Sequence, residues 1–439
     1  MHKRELTKPL SHPVFRRLAT SYVINELGDW MGIVALSVLV FDRTGSALAT
    51  AGLFLGTRFL PALLAPILVT RVEQPPPRFA LPVIYCGEAT AFAGLALLGG
   101  SDFSLAGVIV LATVDGALAL TGRSLTRAVI AALLEPRGEL RAGNALLNIA
   151  LTPCAAIGPG LAGLIVAGFG VQTALLLDAA SFYVIAWVLL TAGPLPQAEP
   201  EEGRLHERVR AGIAYLREEK NLRRLLIAQG AAFVFFAAVI PIEVVYAKET
   251  LGTSDSGYGI LLASWGVGMV VGSLVFAAAR KIKLPILLFF STLAVGIGYL
   301  GLSAAPTLAA ACGASIIGGA GNGVQWVSVI SAVQELTTQN MQARMMSVLS
   351  SIAAAMPGIG YGLGALIAVA VDPRATFLVA GLGVLAIALI AAFALGTNWP
   401  ERREKTGPDA LDAEEEIMVE LIPVGELPPA RQSDSEVVN

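Results

Sequence analysis

Charge is what this chain has least of. Asp, Glu, Lys and Arg make up 14% of its 439 residues, against about 25% in an ordinary soluble domain. There is no strongly basic patch and no interleaving of aromatics with Lys or Arg, so nucleic acid is not an expected partner. Histidine occurs three times, at His2, His12 and His206. Each lies in a polar stretch, so no histidine can carry a proton within a membrane. Cys86, Cys154 and Cys312 are scattered through apolar segments; they give neither a disulfide framework nor a metal spacing and read as small apolar filler. GxxxxGK[ST], HExxH and GxSxG are all missing. The expectation is no ATP-driven pump, no enzyme, no metal and no cofactor.

What is present is apolar. Hydrophobic residues make up 55% of the chain and mean hydropathy is +0.70. Apolar runs of 18 or more residues recur, and that is the signature of membrane spans. They fall near 18–41, 46–70, 79–99, 103–130, 143–168 and 171–193, then near 223–246, 257–279, 284–303, 306–333, 344–371 and 375–396. The fold class expected is an all-α membrane protein, with twelve transmembrane helices in two pseudo-symmetric six-helix bundles. Very short turns, such as Asp42 to Gly45 and Gly168 to Gly170, force neighbouring helices to run antiparallel.

Orientation follows from Lys and Arg, which gather on the cytoplasmic side of a membrane. With the N-terminus inside, the loops on that side collect 23 of them and the opposite loops three, Arg43, Lys248 and Arg374. Both termini are therefore expected in the cytoplasm of a bacterial inner (plasma) membrane. The divisions are a cytoplasmic N-terminal segment 1–17, a bundle 18–193, a linker 194–222, a bundle 223–396 and an acidic tail 397–439. The basic N-terminal segment has no small-residue cleavage site and reads as the approach to a first span. In the linker, Leu205, Val209, Ile213 and Leu216 recur at helical spacing and predict a short amphipathic helix. The tail, rich in Asp, Glu and Pro, is expected to be largely disordered.

The halves carry a repeat. Gly158-Pro-Gly-Leu-Ala-Gly-Leu-Ile165 aligns with Gly360-Tyr-Gly-Leu-Gly-Ala-Leu-Ile367, 202 residues on. Each follows a basic residue, Arg141 or Arg344, by a similar distance. Repeated halves are how many secondary transporters are built.

Ionisable residues within spans are costly and are candidates for function by default. Asp29 lies near the middle of the first span, with Glu26 one turn earlier and Asn25 at i−4. Arg58 is central in the second span, Glu88 in the third and Asp115 in the fourth. Arg123 and Arg127 fall roughly 12 and 18 Å nearer the cytoplasm than Asp115, at about 1.5 Å per residue. Three readings of Asp29 stay open: an ion pair with Arg58 between spans 1 and 2, proton coupling or substrate binding, and simple exposure to cavity water. Arg123 and Arg127 are expected to snorkel or to pair with Glu135 and Glu139. Asp178 reads as a packing residue. Gly266, Gly268 and Gly272, and the glycines from Gly318 to Gly323, read as helix packing.

Six segments in order resemble the major facilitator superfamily, in its enterobactin-exporter-like or transmembrane secretion effector branch. They are FRRLATSYVINELGDW from Phe15, TGSALA from Thr44, LRAGNALLNIA with IGPGLAGLI, LLLDAASFYV, YGILLASWGVGMVVGSL, and VQELTTQNMQARMMSVLSS. The resemblance covers about Phe15 to Pro400. It implies a central cavity lined by helices 1, 4, 7 and 10, and so by Asp29, Asp115, Gln229, Asn322, Gln325 and Trp326, with Asn25 beside them. It also makes Gly158, Pro159 and Gly163 an antiporter motif, which implies export. One loop departs from the family: Pro66 stands in its Gly position and Thr70 in its Asp position, leaving Arg71 as the clear match. The usual charge latch lacks its carboxylate.

The expectation is a secondary transporter working by alternating access, proton-coupled and exporting an amphipathic small molecule such as a drug, siderophore or secondary metabolite. Its partners are the lipid bilayer, that substrate and protons, and it is expected to be monomeric. An uptake carrier or lipid flippase using another gradient, and a transport-inactive sensor, stay open as alternatives.

Overall fold

The computed structural model describes residues 7–64, 76–100, 103–196, 215–279, 281–338 and 341–396. Among them, twelve helices are long and apolar enough to cross a membrane. They are α1 (Pro13–Thr44), α2 (Ala47–Leu64), α3 (Pro77–Leu98), α4 (Leu105–Arg137), α5 (Leu140–Phe169), α6 (Val171–Leu190), α7 (Lys220–Thr250), α8 (Asp255–Ala278), α9 (Leu284–Ala304), α10 (Leu308–Glu335), α11 (Arg344–Ala370) and α12 (Pro373–Ala394). Every expected span is present. Several helices outrun their apolar stretch: α1 begins inside the segment 1–17, α4 runs on to Arg137, and α7 begins inside the linker 194–222. Hydropathy registers the apolar part of a helix and not its polar ends. The loop with Pro66, Thr70 and Arg71, most of the linker helix and the tail 397–439 lie outside the described residues.

Local chemistry starts and stops the helices. Pro13 opens α1, where its missing N–H costs nothing. Gly45 closes that helix at φ 58°, the left-handed conformation that suits glycine. Ser46, Ser104 and Thr307 cap α2, α4 and α10 by accepting from the backbone N–H three residues on. On the face that carries the chain ends, Glu139 accepts from His12 Nε2 at 2.8 Å and pairs with Lys8 at 3.3 Å. This straps the N-terminal segment to the α4–α5 turn.

Lipid tails are as apolar as leucine, so helices in a membrane associate through close packing of small residues. A Cβ on Gly268 or Gly272 of α8 would run into the α10 backbone at Ile316 and Ala320. Gly319 and Gly323 of α10 face the carbonyls of Trp265 and Met269 in return. The glycine runs in these spans are packing surfaces. The repeat also has structural content: Gly158 faces Leu27 and Trp30 of α1, while Gly360 faces Val234 and Ala237 of α7. The same α5–α1 packing thus recurs as α11–α7 in the other half.

The halves meet across two crossings. In α5–α8, Gly163 lies against Asp255 and Gly259, and Gly266 lies against Ala155 and Ala156. In α2–α11, Gly358 lies against Phe59, and Phe54 packs on Tyr361 with ring centroids 5.6 Å apart. At the face made only of short turns, Lys248 of α7 bridges Asp42 of α1 and Asp255 of α8, both at 2.5 Å. The Lys248–Asp42 ion pair lies at this turn face, and the Phe54–Tyr361 ring contact lies between it and mid-depth. Lys248 ties the halves together at that face.

Candidate functional site

The N-terminal bundle carries a charged cluster. Tyr22, Glu26 and Asp29 form one stripe of α1, at i, i+4 and i+7. Arg123 of α4 donates to Asp29 at 2.6 Å and lies 3.9 Å from Glu26. Arg127, one turn on, donates from Nε to the Tyr22 hydroxyl at 2.7 Å and stands over its ring. Two carboxylates thus share one guanidinium, and Asp29 holds the closer position.

These contacts correct the expected pairings. Asp29 pairs with Arg123 and not with Arg58. Arg123 turns to α1 and not to Glu135, three turns along its own helix, or to Glu139 beyond that helix's end; Glu139 is bound by His12 and Lys8 instead. Arg58 is exposed, on a π-helical turn spanning Leu55–Phe59. Pro61 lacks the N–H that would bond to the Thr57 carbonyl, and that carbonyl packs on Gly116 of α4.

Asn25 and Asp115 do not line the cavity. Asn25 falls on the other stripe of α1, with Ser21, Gly28 and Gly32, and is buried in the bundle. Asp115 shares a buried face of α4 with Ala112, Gly122 and Thr126. Glu88 is wholly buried where α3 meets Gly122. Asp178 is also buried, and its carboxylate fills the space left by Gly28 and Gly32, which makes it the packing residue expected.

The C-terminal bundle holds a second, uncharged group of side chains. A cavity of about 220 Å³ is lined by Gln229, Phe233 and Phe236 of α7, Met269 of α8, and Asn322, Gln325 and Trp326 of α10, with smaller apolar side chains behind them. The four cavity candidates expected from α7 and α10 are brought together here. The edge of Trp326 meets Phe233 at 6.2 Å. Gln325 is committed, donating to Thr292 at 3.0 Å, so Gln229 and Asn322 are the amides that remain for a ligand. Phe233, Phe236 and Met269 were not anticipated. The signal was there for the two phenylalanines, because Gln229, Phe233 and Phe236 lie at i, i+4 and i+7.

Pro159 and Gly163 lie at the α5–α8 crossing, whereas Gly158 packs on α1. The Pro159 carbonyl and Gly163 both abut Gly259, so the motif sits on the seam between the halves.

Comparison with known proteins decides what kind of molecule this is. The family model described as transmembrane secretion effector matches residues 6–413. The chain belongs to that family, a branch of the major facilitator superfamily. As a transmembrane secretion effector it is a membrane transporter and not an enzyme. It is 25% identical over 389 residues to the multidrug efflux pump Tap of Mycobacterium tuberculosis, covering 83% of this chain and 89% of that one. The Tap sequence from Mycobacterium bovis matches equally. Among solved structures, the nucleoside transporter NupG superimposes with a TM-score of 0.69 at 12% identity, covering 88% of this chain and all of the other. A bacterial homologue of the iron transporter ferroportin, in its inward-facing state, gives 0.67 at 14% identity, covering 87% and 97%. At such identities the structures speak for the fold alone.

Proposed function

We propose that this transporter is a proton-coupled exporter of amphipathic small molecules, working by alternating access in the bacterial inner membrane with both termini in the cytoplasm. The observation that carries the reading is a pair of unlike side-chain groups, one in each bundle. One presents Asp29, Glu26 and Arg123; the other presents aromatic rings and free amides. A ligand with a polar or cationic end and a flat apolar body satisfies both. Carboxyl groups in a cavity that is alternately wet and closed can take up and release protons, which is what coupling requires.

Direction and orientation rest on separate supports. The Gly158-Pro159-Gly163 motif, on the seam where the halves must slide, resembles that of exporters. The relative Tap is a multidrug efflux pump. The concentration of Lys and Arg on the face that carries the chain ends favours a cytoplasmic placement of that face. On this orientation the turn face tied by Lys248 is the outer one.

The test is flux in proteoliposomes under an imposed pH gradient, with ethidium as an aromatic cationic probe. Wild type moves the dye toward the acidic side, while Asp29→Asn and Glu26→Gln lose gradient-driven movement and keep dye exchange. Full gradient-driven flux in both variants would sink proton coupling through these carboxyls.

A further inference from the structure

We infer that Arg58 is an anion-binding site at the seam between the halves, and that it takes the acidic group, carboxylate or phosphate, of an amphiphilic ligand. The inference deepens the reading above by naming the class of ligand. It rests on that reading for the seam being the path of an amphiphile.

An ionisable residue deep in a membrane protein is costly and normally pairs with protein groups. The arginines of the other spans follow that rule. Arg123 is held by Asp29 and Arg127 by the Tyr22 hydroxyl. Nearer the turn face, Arg43 and Arg374 donate to the backbone carbonyls of Gly99 and Ser303. Arg58 departs from it. It lies well inside α2 and is exposed, and it has neither a hydrogen bond nor an ion pair among the described residues. A guanidinium is a planar fork that matches a carboxylate or a phosphate, and here none of its donors is committed. The turn that carries it, Leu55–Phe59, is π-helical, a distortion that recurs at functional sites.

Neighbouring residues place Arg58 at the seam rather than toward lipid. Phe54, one turn before it, packs with Ala237 of α7 and Tyr361 of α11, beside Ile33 of α1. Phe59, the next residue, lies on Gly358 of α11. Glu26 of α1, Asp115 of α4 and Tyr361 of α11 are within electrostatic reach of the guanidinium. Depth relates it to the aromatic group as well. Gly358 meets Phe59, and Gly360 meets Val234, the neighbour of cavity-lining Phe233. Two helical residues span about 3 Å, so Arg58 and the rings of the C-terminal bundle stand at similar depth.

Charge then fixes the class of ligand. Asp29 neutralises Arg123 at 2.6 Å, and Glu26 stands farther off at 3.9 Å. Glu26 and Arg58 are therefore the charges left over, one of each sign. A ligand with only a cationic end would use the first and leave the guanidinium unpaired. One that also carries an acid satisfies both, and a hydrogen bond between ionised groups is about twice as strong as a neutral one.

The experiment compares rhodamine 110, a flat cation with a free carboxylate, with rhodamine 123, its methyl ester. Both are titrated by fluorescence anisotropy onto the full-length protein in phosphatidylcholine nanodiscs at neutral pH. Wild type should bind the acid about tenfold more tightly than the ester, the gain expected of a hydrogen bond to a charged group. Arg58→Gln should weaken the acid by that factor and leave the ester unchanged, which also reports that the variant is folded. Arg58→Lys should keep part of the preference. Equal affinities in wild type overturn the proposal without any variant. So does an Arg58→Gln protein that keeps the preference, or that weakens both dyes alike, since Arg58 would then serve Glu26 or the fold. Phosphatidylglycerol added to the nanodiscs separates the sources of the acid. An Arg58-dependent loss of acid binding makes a lipid phosphate an occupant of the site, and no such loss leaves the dye-like ligand as the source. Binding of neither dye refutes the amphiphile reading, and this assignment with it, whereas wild-type flux indifferent to pH gradients refutes the coupling alone.

Discussion

Replacing Lys248 by Met should open the turn face. Lys248 reaches two carboxylates, but only the pair with Asp42 joins the halves; Asp255 belongs to the same bundle and moves with it. The Asp42 side chain is 47% exposed and that of Lys248 16%, so the pair is discounted for solvent screening to about 0.5 kcal/mol. Removing the lysine also leaves two carboxylates facing each other, adding a comparable repulsion. The total is about 1 kcal/mol, or roughly a five-fold rise in the population open at that face, since about 1.4 kcal/mol is tenfold. Ser37 of α1 is fully buried on the closed side and gives the readout. With the three native cysteines replaced, Ser37→Cys should react with an impermeant thiol reagent about five times faster once Lys248→Met is added. Asp42→Asn, which removes the link without creating the repulsion, should give about two-fold. Molar salt should shrink both effects. A Lys248→Met rate within a factor of two of its parent would refute the latch.

Gly259→Val would drive a side chain into the Pro159 carbonyl and Gly163. Overpacking of that kind costs about 1–3 kcal/mol, so the detergent-solubilised protein should unfold a few degrees lower by light scattering. Trp326→Ala removes an edge-to-face ring pair worth about 0.5–1.5 kcal/mol and the largest apolar surface of the cavity, so ethidium affinity should fall about tenfold by fluorescence titration. Glu139 gives a pH prediction: desolvation works against its ionisation, but the hydrogen bonds from His12 and Lys8 prevail and hold its carboxyl below the usual carboxylate range. A lowered folded value stabilises above the unfolded one, about 4.3, and the contribution is lost as pH falls through the folded value. Hydrogen exchange at residues 8–12 should therefore quicken in that acid window, and Glu139→Gln should remove the dependence.

The dozen spans were legible because each is a long apolar run, and nothing else in a chain this poor in charge competes with that signal. Rotation about the helix axes was harder to read. Asn25 and Glu26 are neighbours in sequence, yet one faces the bundle core and the other the cavity, because successive helical residues point about 100° apart. The stripe Ser21–Asn25–Gly28–Gly32 was available as the buried face, since its two glycines mark where α6 comes close. The partner of Asp29 was not legible, because Arg58 and Arg123 sit on different helices and only their packing brings the second within 2.6 Å. The aromatic cavity was more accessible to reasoning, as its amides and rings keep helical spacing on α7 and again on α10. Asp115 was misjudged for the same rotational reason, its face being set by Gly122 against α3.

The measurement that bears most directly on the account is net ethidium movement by the wild-type protein in oriented proteoliposomes. Acidifying the turn face alone should drive the dye toward that face, reversing the gradient should reverse it, and a protonophore should abolish both. Movement that ignores the sign of the gradient, or that persists with the protonophore present, would contradict it.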